Sequence, residues 1–382
     1  MKKRRVRETV LALGAESKGV YALQKGRRLI VSRDFGDLAD YDNFSRFEKA
    51  VKRELKRSSP GIIVSDMHPG YNSTDLAEEI MPDSARLFKV QHHHAHIASC
   101  MRDNDLKGRV IGVAFDGTGY GPDGSIWGGE FLISTFKSFK RAAHLEYLPM
   151  PGGDKAVAEP WRMAAAYLQN SFGDKFLDLK IPFVRRLNKD DWHKLKYAVE
   201  RKINSPLTSS VGRLFDAVSS IILCIFKVNF EAEAAIDLQK SAQEAFGEKG
   251  RYKNNVIRRK GIYVIDVKEM IRGIVRDIED GIGPPIIAAR FHNSISNIIL
   301  TVCRSLRRES GIKRVAFGGG VFQNRLLFEK ALALLNHSGF DLYTHRAFPA
   351  TDAGISVGQA AIALASPVRP SNITKRSNGA RN

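Results

Sequence analysis

Four of the chain's ten histidines fall within five positions, in the stretch VQHHHAHIAS (residues 90–99). An affinity tag is an uninterrupted run at a terminus, whereas this run is internal and broken by Ala95. If the stretch is helical, His92 and His96 stand at i and i+4 and project from one face, while His93 and His94 point elsewhere. That spacing suits two imidazoles on one cation, and it is equally compatible with a polar helix. Two aspartates could complete a cation site. Asp116 ends an apolar run in VIGVAFDGTGYG, and Asp352 precedes a helical pattern in ATDAGISVGQA, where it could equally cap the helix. Two imidazoles and two carboxylates form a mixed N/O set suited to Fe(II), Zn or Mn and poor for Ca.

Three glycine-bearing turns could hold an anion beside such a centre. Gly117, Gly119 and Gly121 follow Asp116 and leave the backbone open, so that N–H groups can nest a phosphate; a plain hairpin would read the same way. Gly318, Gly319 and Gly320 in FGGGVFQN lie between a strand and a helix, where the helix N-terminus favours an anion. The run is neither a Walker A motif nor G-x-G-x-x-G, which disfavours a Rossmann site. In LGAESKG, Ser17 and Lys18 sit beside Gly14 and Gly19; the lysine would neutralise phosphate charge or be an ordinary turn residue.

Elements that position these residues are readable from periodicity. The segment TVLALGAESKGVYALQKGRRLIVSRDFG reads as three strands separated by glycine turns, followed by a polar helix (FSRFEKAVKREL) and a buried strand (GIIVSD). A helix through the histidines is expected to run to about Met101. The opening pattern then recurs, with RVIGVAFDGTGYGPDGSIWGGEFLISTFKSFKRAAHLEYL again giving a strand, a Gly/Asp-rich turn and two more strands. Helical patterns dominate from about Glu159 to Gly247, and the end alternates strand, helix, strand, helix. Two hairpin-first units imply two similar α/β lobes facing a cleft.

Bulk properties narrow the class. A chain of 382 residues exceeds one ordinary hydrophobic core. Its net charge of +19, spread over KKRRVR, KRELKR, RYKNNVIRRK and SLRRES, fits nucleic acid, nucleotides or an acidic protein as partner, or simply a solvated basic surface. Cys100, Cys224 and Cys303 are far apart, which excludes a disulfide framework and a cysteine zinc finger and fits a reducing cytoplasm. The basic start leads only to VLALGA, too short for a signal peptide, and the apolar stretch SSIILCIFKVNF is too short to span a bilayer; no membrane role is expected.

Eight motifs occur in order: VQHHHAH, GVAFDGTGYGPDGSIWGGEF, LPMPGGDKAVAEPWRMA, SSVGRLFDAV, FEAEAA, ARFHNSI, GGGVFQNRLL and TDAGISVGQA. Together with LALGAESKGVYAL and VSDMHPGYNST they resemble the C-terminal part of the HypF-type carbamoyltransferases, over about Thr9 to Ala365. The resemblance implies an ASKHA-type α/β fold, with two RNase-H-like lobes flanking a nucleotide and metal cleft. The lobes are expected at 9–107 (completed by the C-terminal helix) and 108–365 (with a helical insertion), before a disordered basic tail at 366–382. It implies a divalent metal, Fe(II) or Zn, on His92, His96, Asp116 and Asp352, and a carbamoyl-adenylate whose ATP- or AMP-derived moiety meets Gly117, Gly119, Asp216, Glu233, Gly318, Gly319 and Asn324. Lys18 and Asp116 would act on the reacting groups. The implied reaction carries the carbamoyl group to the C-terminal cysteine of a HypE-like protein in hydrogenase maturation. TsaD-like transfer to tRNA and O-carbamoylation of a small metabolite are the rival readings, and VQHHHAH departs from TsaD's H-x-E-G-H.

Three departures stand out. The acylphosphatase, zinc-segment and YrdC-like domains of the full family protein are not among these residues, so a separate YrdC-like protein is the expected source of adenylate. Ala232 stands where the family has glycine, and ATDAG replaces Asn-Asp-Gly-Gly, with Ala353 for a glycine.

Overall fold

The computed structural model describes residues 9–366; the basic leader and, apart from Ser366, the expected basic tail lie outside them. In chain order the strands are β1 (Thr9–Ala12), β2 (Ala22–Lys25), β3 (Arg28–Val31), β4 (Ile62–Asp66), β5 (Arg86–Val90), β6 (Val110–Phe115), β7 (Gly129–Ser134), β8 (Phe139–Leu145), β9 (Leu148–Pro149), β10 (Leu207–Thr208), β11 (Asn255–Arg259), β12 (Ile262–Asp266), β13 (Arg314–Gly318) and β14 (Asp341–Tyr343). They form a five-stranded sheet ordered β3-β2-β1-β4-β5 and a seven-stranded sheet ordered β11-β12-β8-β7-β6-β13-β14, with β9 and β10 as a separate pair.

One plan is used twice. In each large sheet an antiparallel trio (β1–β3; β6–β8) opens the unit, and two parallel strands (β4, β5; β13, β14) extend it on the other side. The glycine turns of the sequence close the trios, and the parallel strands return through helices, as parallel pairing requires. The second sheet is lengthened by β12, parallel to β8, and by the edge strand β11, two strands that periodicity did not reveal.

The histidine helix (His92–Asp103) lies between the sheets. Every residue from His92 to Met101 is buried, so it is not the polar surface helix that its composition allowed. Ala95 and Ala98 pack with Val10, Ala12, Val64 and the C-terminal helix Ile355–Ala365. Ile97, Cys100 and Met101 pack instead with Val110, Ala114, Leu132 and Ala316 of the second sheet. The adjoining helix Pro284–Ser310 is long and apolar enough to cross a membrane by length and composition. Its apolar window is 72% buried inside the protein, so it serves here as a core helix.

Close approach of the histidine and C-terminal helices depends on Gly358, because a methyl there would collide with the carbonyl of Ala95. Gln359, its neighbour, ties the same helix to the first glycine turn: its amide accepts from the Gly14 N–H and donates to the Gly14 carbonyl, each at 2.9 Å. Replacing Gly358 by alanine is expected to cost about 1–3 kcal/mol through overpacking, read as a lower Tm. Gly247→Ala adds a methyl with nothing within 4 Å and is expected to leave Tm unchanged.

Candidate metal centre and nucleotide cleft

The centre is built from three segments. The histidine helix is started by Gln91, whose side-chain oxygen accepts the His94 N–H at 2.8 Å, and its first turns aim His92 and His96 the same way. Asp116 follows the end of β6, and Asp352 opens a short 3-10 turn ahead of the C-terminal helix. One ligand atom from each of the four residues lies within 4.8 Å of the others. The imidazole Nε2 atoms stand 3.8 and 3.5 Å (His92) and 2.8 and 3.4 Å (His96) from the Asp116 and Asp352 carboxylates.

Ligands at about 2.0–2.2 Å from a tetrahedral ion stand about 3.4 Å apart, and these separations bracket that value. Nε2 of both histidines and Oδ2 of Asp116 are buried without an aligned hydrogen-bond partner. They lie close enough together to share one ion. The set fits a divalent cation such as Zn or Fe(II), with no cysteine sulfur to favour softer ions.

Electrostatics follow from burial. Desolvation opposes charge on His92, but the Asp352 and Asp66 carboxylates outweigh it and hold the imidazole well above its ordinary range. Burial likewise opposes the Asp116 and Asp352 charges, and the two imidazoles hold both carboxyls below the ordinary range. Two further side chains hold the ligands in place. Asp66, at the end of β4 and fully buried, meets His92 Nδ1 at 2.8 Å and accepts the His68 N–H at 3.0 Å. Ser17 Oγ donates to Asp352 at 2.7 Å. Neither stood among the expected site residues, although VSDMHPGYNST and LGAESKG were both conspicuous.

His93 and His94 turn away from the four ligands. His94 Nε2 meets the Thr135 carbonyl at 2.7 Å, and burial pushes this imidazole below its ordinary range. His93 packs under Gly119, where a methyl would strike its ring. Lys18 is exposed in the turn beside Ser17 and makes no ion pair among the described residues.

The glycine-lined side of the cleft begins at Asp116. Its carbonyl accepts from Gly212 N and Ser210 Oγ, tying the DGTG turn to the start of helix Val211–Leu223. Gly319, at φ +103°, passes so close to the Phe115 carbonyl that no side chain fits, and Gly318 abuts His96. Asp216 lies on that helix with Oδ2 3.1 Å from Arg213; both are buried, and Arg213 Nε and Nη1 have no hydrogen-bond partner. Burial pushes the Asp216 carboxyl up, and Arg213 only partly opposes this.

Glu231 and Glu233 separate in space. Glu233 is held by the Asn229 backbone and side-chain amides at the start of its own helix, whereas a methyl on Gly117 would meet Glu231 at 3.2 Å and Arg213 at 3.3 Å. Between them Ala232 adopts φ +67°, so the family glycine has a backbone reason: the left-handed region disfavours a side chain. Asn324 caps helix Arg325–His337 by accepting the Leu327 N–H, and its amide meets His292 Nε2 at 3.0 Å, so its side chain is already engaged.

Fold and centre together define a Kae1-like domain. Residues 112–359 match the family model described as "Carbamoyltransferase, Kae1-like Domain, second subdomain", and residues 5–103 match the "HypF Kae1-like domain". The chain belongs to the HypF carbamoyltransferase family. It is 34% identical to the "Carbamoyltransferase HypF homolog" of Cupriavidus necator, over 94% of this chain and 92% of that protein. It is 35% identical to the carbamoyltransferase HypF of Synechocystis over 92% of this chain, but spans only 46% of that longer relative. Among solved structures, full-length HypF in the phosphate- and nucleotide-bound form superposes with a TM-score of 0.88 at 36% identity, covering 95% of this chain and 56% of that one. HypF of T. kodakarensis gives 0.82 at 29% identity, covering 94% and 48%. The ASKHA-type architecture of two RNase-H-like lobes is therefore the family's.

Elemental analysis after equilibration with zinc is expected to find one ion per wild-type chain and little in Asp352→Ala or His96→Ala. His94→Ala should keep it. Asp66→Asn, which loosens the brace on His92, should weaken affinity by about 10–100-fold. Full occupancy in Asp352→Ala would refute the ligand set.

Proposed function

We propose that this chain is a carbamoyltransferase that takes the carbamoyl group from carbamoyl-adenylate and delivers it to a protein thiolate, the C-terminal cysteine of a HypE-like acceptor. The observation that carries this reading is the meeting, at Asp116, of a four-ligand centre and a glycine-lined cleft with buried unpartnered polar atoms. A bound divalent ion would polarise the carbamoyl carbonyl or the adenylate phosphate, stabilising negative charge that grows during transfer. Its holders would be His92, His96, Asp116 and Asp352.

The chain's own residues do the rest. Asp216 would accept hydrogen bonds from the ribose hydroxyls, and Gly117, Gly318 and Gly319 would let the nucleotide lie against bare backbone. Lys18, free in its turn, would offset phosphate charge. The acceptor sulfur attacks the carbamoyl carbon, a C–S bond forms, the C–O bond to phosphate breaks, and AMP leaves with the electron pair. Positioning of the thiolate supplies much of the acceleration. No nucleophile is needed from the chain: Cys100 and Cys303 are buried, and burial pushes the Cys100 thiol up to about 12, which disarms it at neutral pH. We place the reaction in the cytoplasm, where an acceptor thiol and three free cysteines stay reduced. A YrdC-like protein is the proposed source of carbamoyl-adenylate.

The test supplies ATP, carbamoyl phosphate and a YrdC-like protein, and follows the acceptor by mass spectrometry. One carbamoyl group should appear on the cysteine-terminated acceptor and none on its Cys→Ala variant. Asp216→Asn should lower AMP affinity about tenfold or more, by loss of a charge-assisted hydrogen bond, with zinc content unchanged. Transfer to tRNA, or to nothing, would contradict the reading.

A further inference from the structure

Away from the metal centre, a recess of about 460 Å³ lies between the β2–β3 hairpin and the amphipathic helix Tyr41–Ser58. Half-buried Tyr21 and Phe35 form its floor, and Arg33, Arg46, Lys49 and Arg53 line its walls. Arg46, Lys49 and Arg53 stand at i, i+3 and i+7 and so share one helix face, with Arg33 reaching the same recess from beyond the hairpin. All four are exposed, and none makes an ion pair among the described residues. Of the nearby acids, Glu48 and Glu79 hold Lys52 and Glu54 holds Arg57. Arg46 donates to the Asn43 side chain and the Asp42 carbonyl, and Asp34 shares a neighbouring recess with Arg33 and Arg46, so the uncompensated positive charge centres on Lys49 and Arg53.

The chemistry of the recess selects its ligand. Guanidinium groups form paired hydrogen bonds with carboxylates or phosphates. Single-stranded nucleic acid also needs open aromatic faces for its bases. Here the Arg33 guanidinium already sits over the Phe35 ring at 4.9 Å, and Tyr21 and Phe35 pack on buried Phe47 at 6.2 and 5.7 Å. Carboxylates require only the cations. We infer that this recess docks an acidic peptide segment of a protein partner. Its hairpin is joined to the metal cleft: Gly19 N–H donates to the Gly36 carbonyl, Phe35 N–H donates to the Gly19 carbonyl, and Ser17 holds Asp352. A partner seated there rests on the unit that carries the rim of the cleft. The inference goes beyond the transfer reaction and does not depend on it.

Fluorescein-labelled hexaglutamate, titrated into the zinc-equilibrated full chain, tests the site by anisotropy, with hexathymidylate as the competing polyanion. Saturable hexaglutamate binding is expected, weakened about tenfold or more in Lys49→Glu/Arg53→Glu. Lys249→Glu/Lys253→Glu reverses the same charge at exposed positions elsewhere and should bind as wild type does. If the first double variant fails to fold, Arg53→Ala is read by the same titration and should bind several-fold more weakly. Equal weakening in both double variants, tighter binding of hexathymidylate through the same residues, or no saturable binding would each overturn the inference.

Discussion

A dry cluster of charge sits where the two sheets meet, and the rest of the molecule is arranged around it. His92, His96, Asp116 and Asp352, with Asp66 behind them, are ionisable groups withdrawn from water, an arrangement tolerated only when opposite charges lie within reach. The five come from four parts of the chain: β4, the histidine helix, the turn after β6, and the turn before the last helix. Bringing them together demands a helix buried on all sides. That in turn requires small residues where its neighbours approach, Ala95 against Gly358 and His96 against Gly318.

Asp66 explains how such a cluster keeps its geometry. By engaging His92 Nδ1 it leaves Nε2 free to face the centre, the usual carboxylate–histidine device that fixes ring orientation and raises ligand basicity. Ser17 does similar work for Asp352 from the β1–β2 turn of the same sheet. Asp116 has two duties, since its carboxylate faces the centre while its carbonyl anchors the helix bearing Arg213 and Asp216. Cleft and centre are therefore mechanically joined through one residue.

Much of this was legible in the residues, and the reasons differ from part to part. The i, i+4 histidines and the hairpin-first repeat follow from fixed helical and strand periods, so spacing alone exposed them. The four candidate ligands each had a bland reading, as polar helix or helix cap, and it was their combination that suggested a cation site. Asp66 did not, because its partner is 26 positions away and only the pairing of β4 with β5 sets the end of β4 beside the histidine helix. Glu233 was the expected nucleotide contact, whereas the left-handed turn at Ala232 leaves it held by Asn229 and sets Glu231 beside Gly117. The His292 contact of Asn324 joins residues that spacing does not bring together, so it was not readable. Strands β11 and β12, at one end of the second sheet, carry no motif.

Calorimetric titration of the metal-free chain with zinc between pH 6 and 8, in buffers of different ionisation enthalpy, tests the central claim most directly. The proton that the surrounding carboxylates hold on His92 must leave before Nε2 can bind an ion. Because that pKa is raised, the proton is present through the lower part of the range, and affinity should strengthen as pH rises. The account predicts one zinc per chain, net proton release, and weaker binding at pH 6 than at pH 8. Tight binding with no proton release and no pH dependence, or no binding at all, would contradict it.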